Sequence, residues 1–242
     1  MTPRKGMPSP GPLVLLLASG LCLGTIFPLA KLAAERGVSA VVYAGGTAVG
    51  ACLVLALMSL WARLPLLPDR EELRYSLIAG LLTFAIPWGT VVVVIANLGA
   101  ALPAIVQTLT PIITLGLVYV LRLEKPRMAR VLGLGLGIAG AVIILVARDT
   151  GTDDSASRAP LFWYAAALVT PTVLAIGNVF RTVSWPASNP TPMQLATWSL
   201  AAAAAAIAGV QVLLGPGGAP LTAQLAAGWP LILVQSLATG VG

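Results

Sequence analysis

The sequence predicts an all-α membrane protein, a polytopic helical bundle, and three observations carry that prediction. Of its 242 residues 58% are hydrophobic and 9% charged, with a mean hydropathy of +0.94, more apolar surface than a soluble core has to bury. The apolar residues gather into eight runs bounded by charges, Pro or Gly, roughly 12–33, 38–61, 73–95, 102–121, 129–147, 161–180, 192–214 and 229–242. All but the last approach the ~20 residues with which a helix crosses ~30 Å of hydrocarbon. The cations, finally, divide ten against four between alternate loops, the four being Lys31, Arg36, Arg148 and Arg158. That bias places the N-terminus and the loops at 62–72 and 122–128 in the cytoplasm and the 148–160 stretch outside. The net charge of +6 then lies wholly on the cytoplasmic side, where it fits anionic lipid headgroups and not nucleic acid.

The first run is too long for a signal peptide and lacks a small-residue cleavage pattern, so it is a span. In the third, Pro87 breaks the helix and Trp88 and Thr90 follow it. The fourth run, LPAIVQTLTPIITLGLVYVL, carries the most informative residues. Pro103 suits a first helical turn, whereas Pro111 falls mid-span and deprives the Gln107 carbonyl of its partner. A bare carbonyl at that depth has to face neighbouring helices or a wet cavity. Gln107, Thr110 and Thr114 lie at spacings of three and four, one stripe of the helix, and expect the same cavity. A charged turn with Arg122, Glu124, Lys125, Arg127 and Arg130 follows. In the fifth run Gly133, Gly137 and Gly140 share a face that would let another backbone approach closely.

The order of small residues, central Pro111, apolar run, Glu124-Lys125 and a final helix with Gly133 and Gly140 resembles the end of an EamA domain. That domain is the five-helix repeat of the drug/metabolite transporter superfamily. GTIFPLAKLA at 24–33 is similar to the family's opening helix, with Leu23 where the family has Trp, and VVYAGGTAVG lacks the Arg that the second helix often carries. The resemblance implies five-helix inverted repeats with an incomplete second repeat: a tail at 1–11, a first repeat at 12–147, an external linker at 148–160 and a partial repeat at 161–242. Five is odd, so a repeat entering after the linker has the opposite orientation. LGTIFPLAKL at 23–32 and IGNVFRTVSW at 176–185 share a Gly and, three residues on, a Phe.

These features favour a secondary transporter or exporter of small organic metabolites or drugs, working by alternating access in a cell membrane of the bacterial inner-membrane kind. An intramembrane enzyme is the other class, but the chain has no His, and its acids fall in loops or at span ends, out of reach of a mid-membrane substrate. No catalytic residue, metal site or cofactor is expected, and no GxxxxGK[ST] motif points to ATP. The expected solute-binding residues are Gln107, Thr110, Pro111, Thr114, Trp88 and Lys31. For Lys31 snorkelling to the interface competes with ligand binding. Trp61, Trp163, Trp185 and Trp229 read as interfacial anchors. Tyr43, Thr47, Asn178 and Gln194 read as weaker lining candidates or interhelical glue. The expected partners are a small-molecule solute and the lipid bilayer, not nucleic acid. The last run, Trp229–Gly242, would reach only ~21 Å, so the sequence reads as a truncated, inactive fragment of a longer transporter. A homo-oligomer or missing C-terminal helices would complete it.

Overall fold

Among the described residues seven helices are long and apolar enough to cross a membrane, and residues at their ends explain where each begins and stops. The computed structural model describes residues 10–65, 67–123, 128, 131–133, 135–137, 139–140, 143, 160–214 and 219–241. Glu124, Lys125, Arg127 and Arg130 of the charged turn, almost the whole 148–160 linker and most of the N-terminal tail lie outside these.

The first span is two helices, α1 (Pro10–Gly24) and α2 (Ile26–Glu35), with Thr25 between them. Pro28 explains the break, because it cannot donate to Gly24 O one turn back. Thr25 Oγ1 lies 2.7 Å from Cys22 O and 3.2 Å from Gln235 Oε1, so a buried side chain from far along the sequence closes the gap. Gly37, at φ +75°, ends the span in the left-handed conformation that glycine adopts without strain. Ser39 then starts α3 (Ala40–Trp61), its Oγ accepting from Val42 N at 3.4 Å.

The third span has three parts, α4 (Arg70–Gly80), a π turn (Leu81–Ala85) and α5 (Ile86–Leu98). Asp69 and Glu72 cap it reciprocally: Glu72 N donates to Asp69 Oδ1 at 2.8 Å and Asp69 N to Glu72 Oε2 at 3.0 Å. The wide turn comes just before Pro87, which withholds the N–H due to Thr83 O, so the irregularity expected of this helix is present. The fourth span breaks as Pro111 requires, into α6 (Ala101–Gln107) and α7 (Thr110–Val120). The described residues between 128 and 143 are helical. Three long helices complete the bundle: α8 (Leu161–Val183), α9 (Pro192–Leu214) and α10 (Leu221–Val241).

The last of these corrects the sequence reading. Its 21 residues reach ~31 Å, enough to span the hydrocarbon, so the shortfall expected of a helix starting at Trp229 does not exist. Gly228 and Pro230 looked like boundary punctuation, but the helix runs through both. Gly228 is there for packing, since a Cβ on it would stand 2.8 Å from Val38 Cγ2. A mid-span proline is tolerated where neighbouring helices surround the freed backbone.

α3 packs against α9 and α10, α4 against α9, α5 and α7 against α8, and α1 and α2 against α10. The main core forms where α2, α3, α5, α9 and α10 converge, around Tyr43, Ala44, Ala48, Val91, Ala203 and Leu231. Small residues make that approach possible. A Cβ on Gly50 would overlap Ser236 Oγ, and one on Gly80 would overlap the backbone carbonyl of Ser199. The glycines expected to pack, Gly133, Gly137 and Gly140, have no described atom within 4 Å of such a Cβ. Close approach is instead centred on α3, α4 and α10.

Candidate functional site

Pro111 shapes the site. Its missing N–H leaves the chain to cross from α6 to α7 through a tightened turn, in which Thr108 N donates to Ile105 O and Leu109 N to Val106 O, both at 3.0 Å. Next to it runs α8, which packs on α6 near its own start and on α7 further along. Ala166 and Ala167 share a cluster with Leu102 and Val106 and with Val94 and Leu98 of α5, and further along α8 Gly177 packs against Leu82 and Thr83 of the π turn. Thr170, two turns before Gly177, lies on that same face, toward the third span. Pro171 is fully buried and withholds the N–H due to Ala167 O. The helix runs unbroken through Pro171, so of the two prolines only Pro111 interrupts its span.

The polar atoms there are incompletely paired. Thr110 is 8% exposed and Thr170 4%, yet Thr110 Oγ1, Thr170 Oγ1 and Gln107 Oε1 have no hydrogen-bond partner among the described residues. Each such atom costs on the order of 1–3 kcal/mol when buried, and native structures keep few of them without a reason. At the break they offer an amide oxygen, a hydroxyl that can donate or accept, and the carbonyl of Gln107.

The structure therefore keeps Gln107 and Thr110 together at the break between α6 and α7, while Thr170 lies on the face of α8 that packs on the third span. Thr114 is half-buried one turn below and donates its hydroxyl to Thr110 O at 2.8 Å. Pro111 has an exposed ring; it acts through the backbone it interrupts. Trp88 is half-buried with its ring edge-on to Phe84 at 6.5 Å. Lys31 lies apart on an exposed face, 3.8 Å from Glu35 with both side chains more than half exposed. An opening of about 350 Å³ between α3, α5 and α9 is apolar apart from Thr90, and none of the expected solute-binding residues lines it. Sequence reasoning missed Thr170 and Pro171, although a signal was present: the chain repeats Thr-Pro at 110–111 and 170–171.

It also missed two ties between distant loops. At one end of the bundle Glu72, 6% exposed, accepts from Ser188 Oγ at 2.7 Å and from Gln194 Nε2 at 3.1 Å. Gln194 Nε2 also donates to Leu67 O at 2.9 Å, and Ala187 N to Glu71 Oε1 at 3.3 Å. At the far end of α3, Ser39 N donates to Gln224 Oε1 at 2.7 Å and Gln224 Nε2 to Ala219 O at 2.7 Å. Glu72 and Gln224 each follow a proline, Pro68 and Pro220, by four residues and each precede a leucine.

A family model described as the EamA-like transporter family matches residues 11–146, more than half of the chain. The chain belongs to this family. No curated protein and no solved structure matches it. The match of this EamA-like chain extends from α1 through the fourth span and into the residues that follow it, so it includes Gln107, Thr110 and Glu72. Thr170, Pro171, Gln194 and Gln224 lie beyond it. As a member of the EamA-like family the chain is a multi-pass membrane protein of a transporter family, consistent with its seven apolar helices.

Proposed function

We propose that this EamA-like chain moves a small organic solute across the membrane by alternating access, with the break between α6 and α7 on the solute path. The observation that carries the proposal is the break itself, beside which Gln107 Oε1 and the buried Thr110 Oγ1 have no hydrogen-bond partner among the described residues. Discontinuous helices with exposed backbone at the membrane midplane are where secondary transporters bind.

The pattern of helix contacts supports opposed repeats. With α8, α9 and α10 taken as counterparts of the first span, of α3 and of the third span, the contact of α3 with α10 has its mate in that of α9 with α4. The contact of α8 with α5 then has its mate in that of α2 with α10. On the charge bias the Glu72 tie is cytoplasmic and the Gln224 tie external. Each joins the loops at one mouth of the bundle, where a gate has to act.

The test is solute binding. A thermal-shift screen of amino acids, nucleosides and cationic drugs on the detergent-purified chain identifies a ligand, because ligands stabilise the state they bind. Replacing Gln107 and Thr114 by Leu is expected to abolish that shift while leaving expression within twofold. Equal binding by the double variant would reduce the stripe to packing.

A further inference from the structure

We infer that the Glu72 and Gln224 ties, one at each mouth of the bundle, are latches of unequal strength, so that the chain rests shut at the Glu72 end and opens first at the Gln224 end. The inference rests on the proposed alternating access and names its regulation. Each tie joins the start of one helix to the start of another. Ser39, the N-cap of α3, donates its N–H to Gln224 Oε1 of α10 at 2.7 Å. At the other end Gln194 donates its N–H to Thr191 Oγ1 at the start of α9 at 3.2 Å and its side chain to Glu72 Oε2 of α4 at 3.1 Å. With α9 the counterpart of α3 and α10 that of the third span, the two ties are one joint made once at each end. What differs is the acceptor, a carboxylate in one and an amide in the other.

That difference sets which end holds. Glu72 is 6% exposed, and its oxygens accept from Ser188 Oγ at 2.7 Å, from Gln194 Nε2 at 3.1 Å and from Asp69 N at 3.0 Å. No Lys or Arg pairs with it among the described residues, so donors of the 184–191 loop and of α9 are what stabilise its charge inside the bundle. Hydrogen bonds to an ionised acceptor are roughly twice as strong as those between neutral groups. Parting α4 from the loop and α9 breaks bonds of that kind, whereas parting α3 from α10 breaks one between an amide oxygen and a backbone N–H. The space behind the stronger tie agrees. A recess of about 40 Å³ is lined by Tyr75, Trp185 and Leu195 beside the tie and by Thr83 and Ser199 deeper in, and Trp185 stands edge-on to Tyr75 at 6.1 Å. That volume has room for about three waters and not for an organic solute, as a path shut at this end requires.

The experiment measures both ends by double electron–electron resonance on the 242-residue chain in lipid nanodiscs, in a background of Cys22→Ala and Cys52→Ala. One spin-label pair, Arg74→Cys with Ala187→Cys, spans the Glu72 tie, and the other, Arg36→Cys with Thr222→Cys, spans the Gln224 tie; all four positions are exposed. The background chain is expected to give a single distance across the Glu72 tie and a minor, longer second distance across the Gln224 tie. Glu72→Gln keeps an acceptor and loses the charge. It should add a longer distance at the Glu72 end and cut the longer population at the Gln224 end at least threefold, and Glu72→Ala should do both further. Gln224→Ala should raise the longer population at its own end at least fivefold and leave the Glu72 end single. A merely structural brace would not move the distant pair, so an unchanged Gln224 end in both Glu72 variants overturns the inference. Lengthening at both ends together, or a longer population in the background chain that is greater at the Glu72 end, overturns it as well. Solute binding separates it from the broader proposal. Ends that alternate in a chain that no solute of the screen stabilises remove the transport reading alone. A solute shift lost in Gln107→Leu with Thr114→Leu, beside ends that part independently of Glu72, removes the latches alone.

Discussion

Two sides of the bundle use their irregular helices differently. Where α3 meets α9 and α10, the gaps are filled. The break between α1 and α2 receives Gln235, which also donates to Thr239 Oγ1 at 3.2 Å. Thr47 Oγ1 donates to Tyr43 O at 2.7 Å and Ser236 Oγ to Ile232 O at 2.6 Å. Gly50 and Gly80 bring helices into contact with no room for a methyl group. Tyr43, Ser59 and Ser76 keep unpartnered hydroxyls, but at scattered positions along α3 and α4. Where α6 and α7 meet α8 the opposite holds: 11% of the Ala101–Val120 span is buried against 39% of the Ala40–Trp61 span, and Gly116 has nothing within 4 Å. The break there keeps its acceptors free. The scaffold side fills its helix break with a side chain from another helix, and the other leaves Gln107 Oε1 and Thr110 Oγ1 at its break without a partner among the described residues.

The sharpest way to break this comparison is to add one side chain on each side. Gly80→Val drives a branched side chain into the Ser199 backbone, which cannot swing aside as a side chain would. It is expected to cost at least about 3 kcal/mol, the upper part of the range for overpacking, and to leave little folded protein after size-exclusion chromatography. Gly116→Ala enters open space and is expected to change stability by less than about 1 kcal/mol, in the favourable direction of helix propensity. Equal damage from both would show that the two sides are packed alike.

Next in size is the buried carboxylate of the scaffold side. Glu72→Ala removes the acceptor of Ser188 Oγ, leaves Gln194 Nε2 with Leu67 O alone and removes half of the capping box. Hydrogen bonds to a charged group contribute roughly 1.5–3 kcal/mol each to the comparison of intact and truncated side chains, so a loss of about 2 kcal/mol is expected. Glu72→Gln, which still accepts, should lose less. Melting temperatures of the two variants check the order, and a larger loss in the Gln variant would mean that charge, not acceptance, holds the loops together.

Much of this was legible in the sequence for a simple reason: membrane spans and helix breaks are local. Apolar runs gave the seven described spans, Pro111 gave the gap between α6 and α7, and the three-and-four spacing put Gln107 and Thr110 on one stripe. What escaped was tertiary. Thr170 keeps a buried hydroxyl without a partner among the described residues, and nothing in the sequence marks it rather than Thr172, which donates to Leu168 O, as the unpaired one. Glu72 looks like a capping residue until Ser188, 116 positions away, arrives from another loop. The start of α10 was misplaced because Gly228 signals close packing against Val38, and in isolation that looks the same as a helix boundary. The glycines at 133–140 meet no atom within 4 Å among the described residues, since a small-residue face makes close approach possible without requiring it.

A smaller effect compares single hydroxyls. Thr47→Val removes a paired, fully buried hydroxyl and should cost about 1 kcal/mol. Thr170→Val removes one with no partner among the described residues, and it should be neutral or stabilising by up to about 1 kcal/mol, since the desolvation penalty goes with the group. Melting curves of the two variants side by side measure the difference directly. A loss at Thr170 as large as at Thr47 would mean that its hydroxyl is already satisfied in the free protein.

The smallest expected effect belongs to Lys31, and it decides whether the scaffold side contributes to the solute path. The side chain is 57% exposed and lies 3.8 Å from Glu35 at one turn's spacing. An exposed pair of this kind is screened by solvent and contributes at most about 0.5 kcal/mol. Lys31→Gln keeps the length and the apolar stem, so its melting temperature should stay within a degree of the wild type. Solute binding should also be unchanged, because the cationic end sits on an exposed face of α2, away from the break between α6 and α7. A fall of fivefold or more in affinity for the solute, with stability intact, would carry the path across the bundle to α2. It would also end the division of labour between the two sides, since the closed one would then hold a charge that the solute needs.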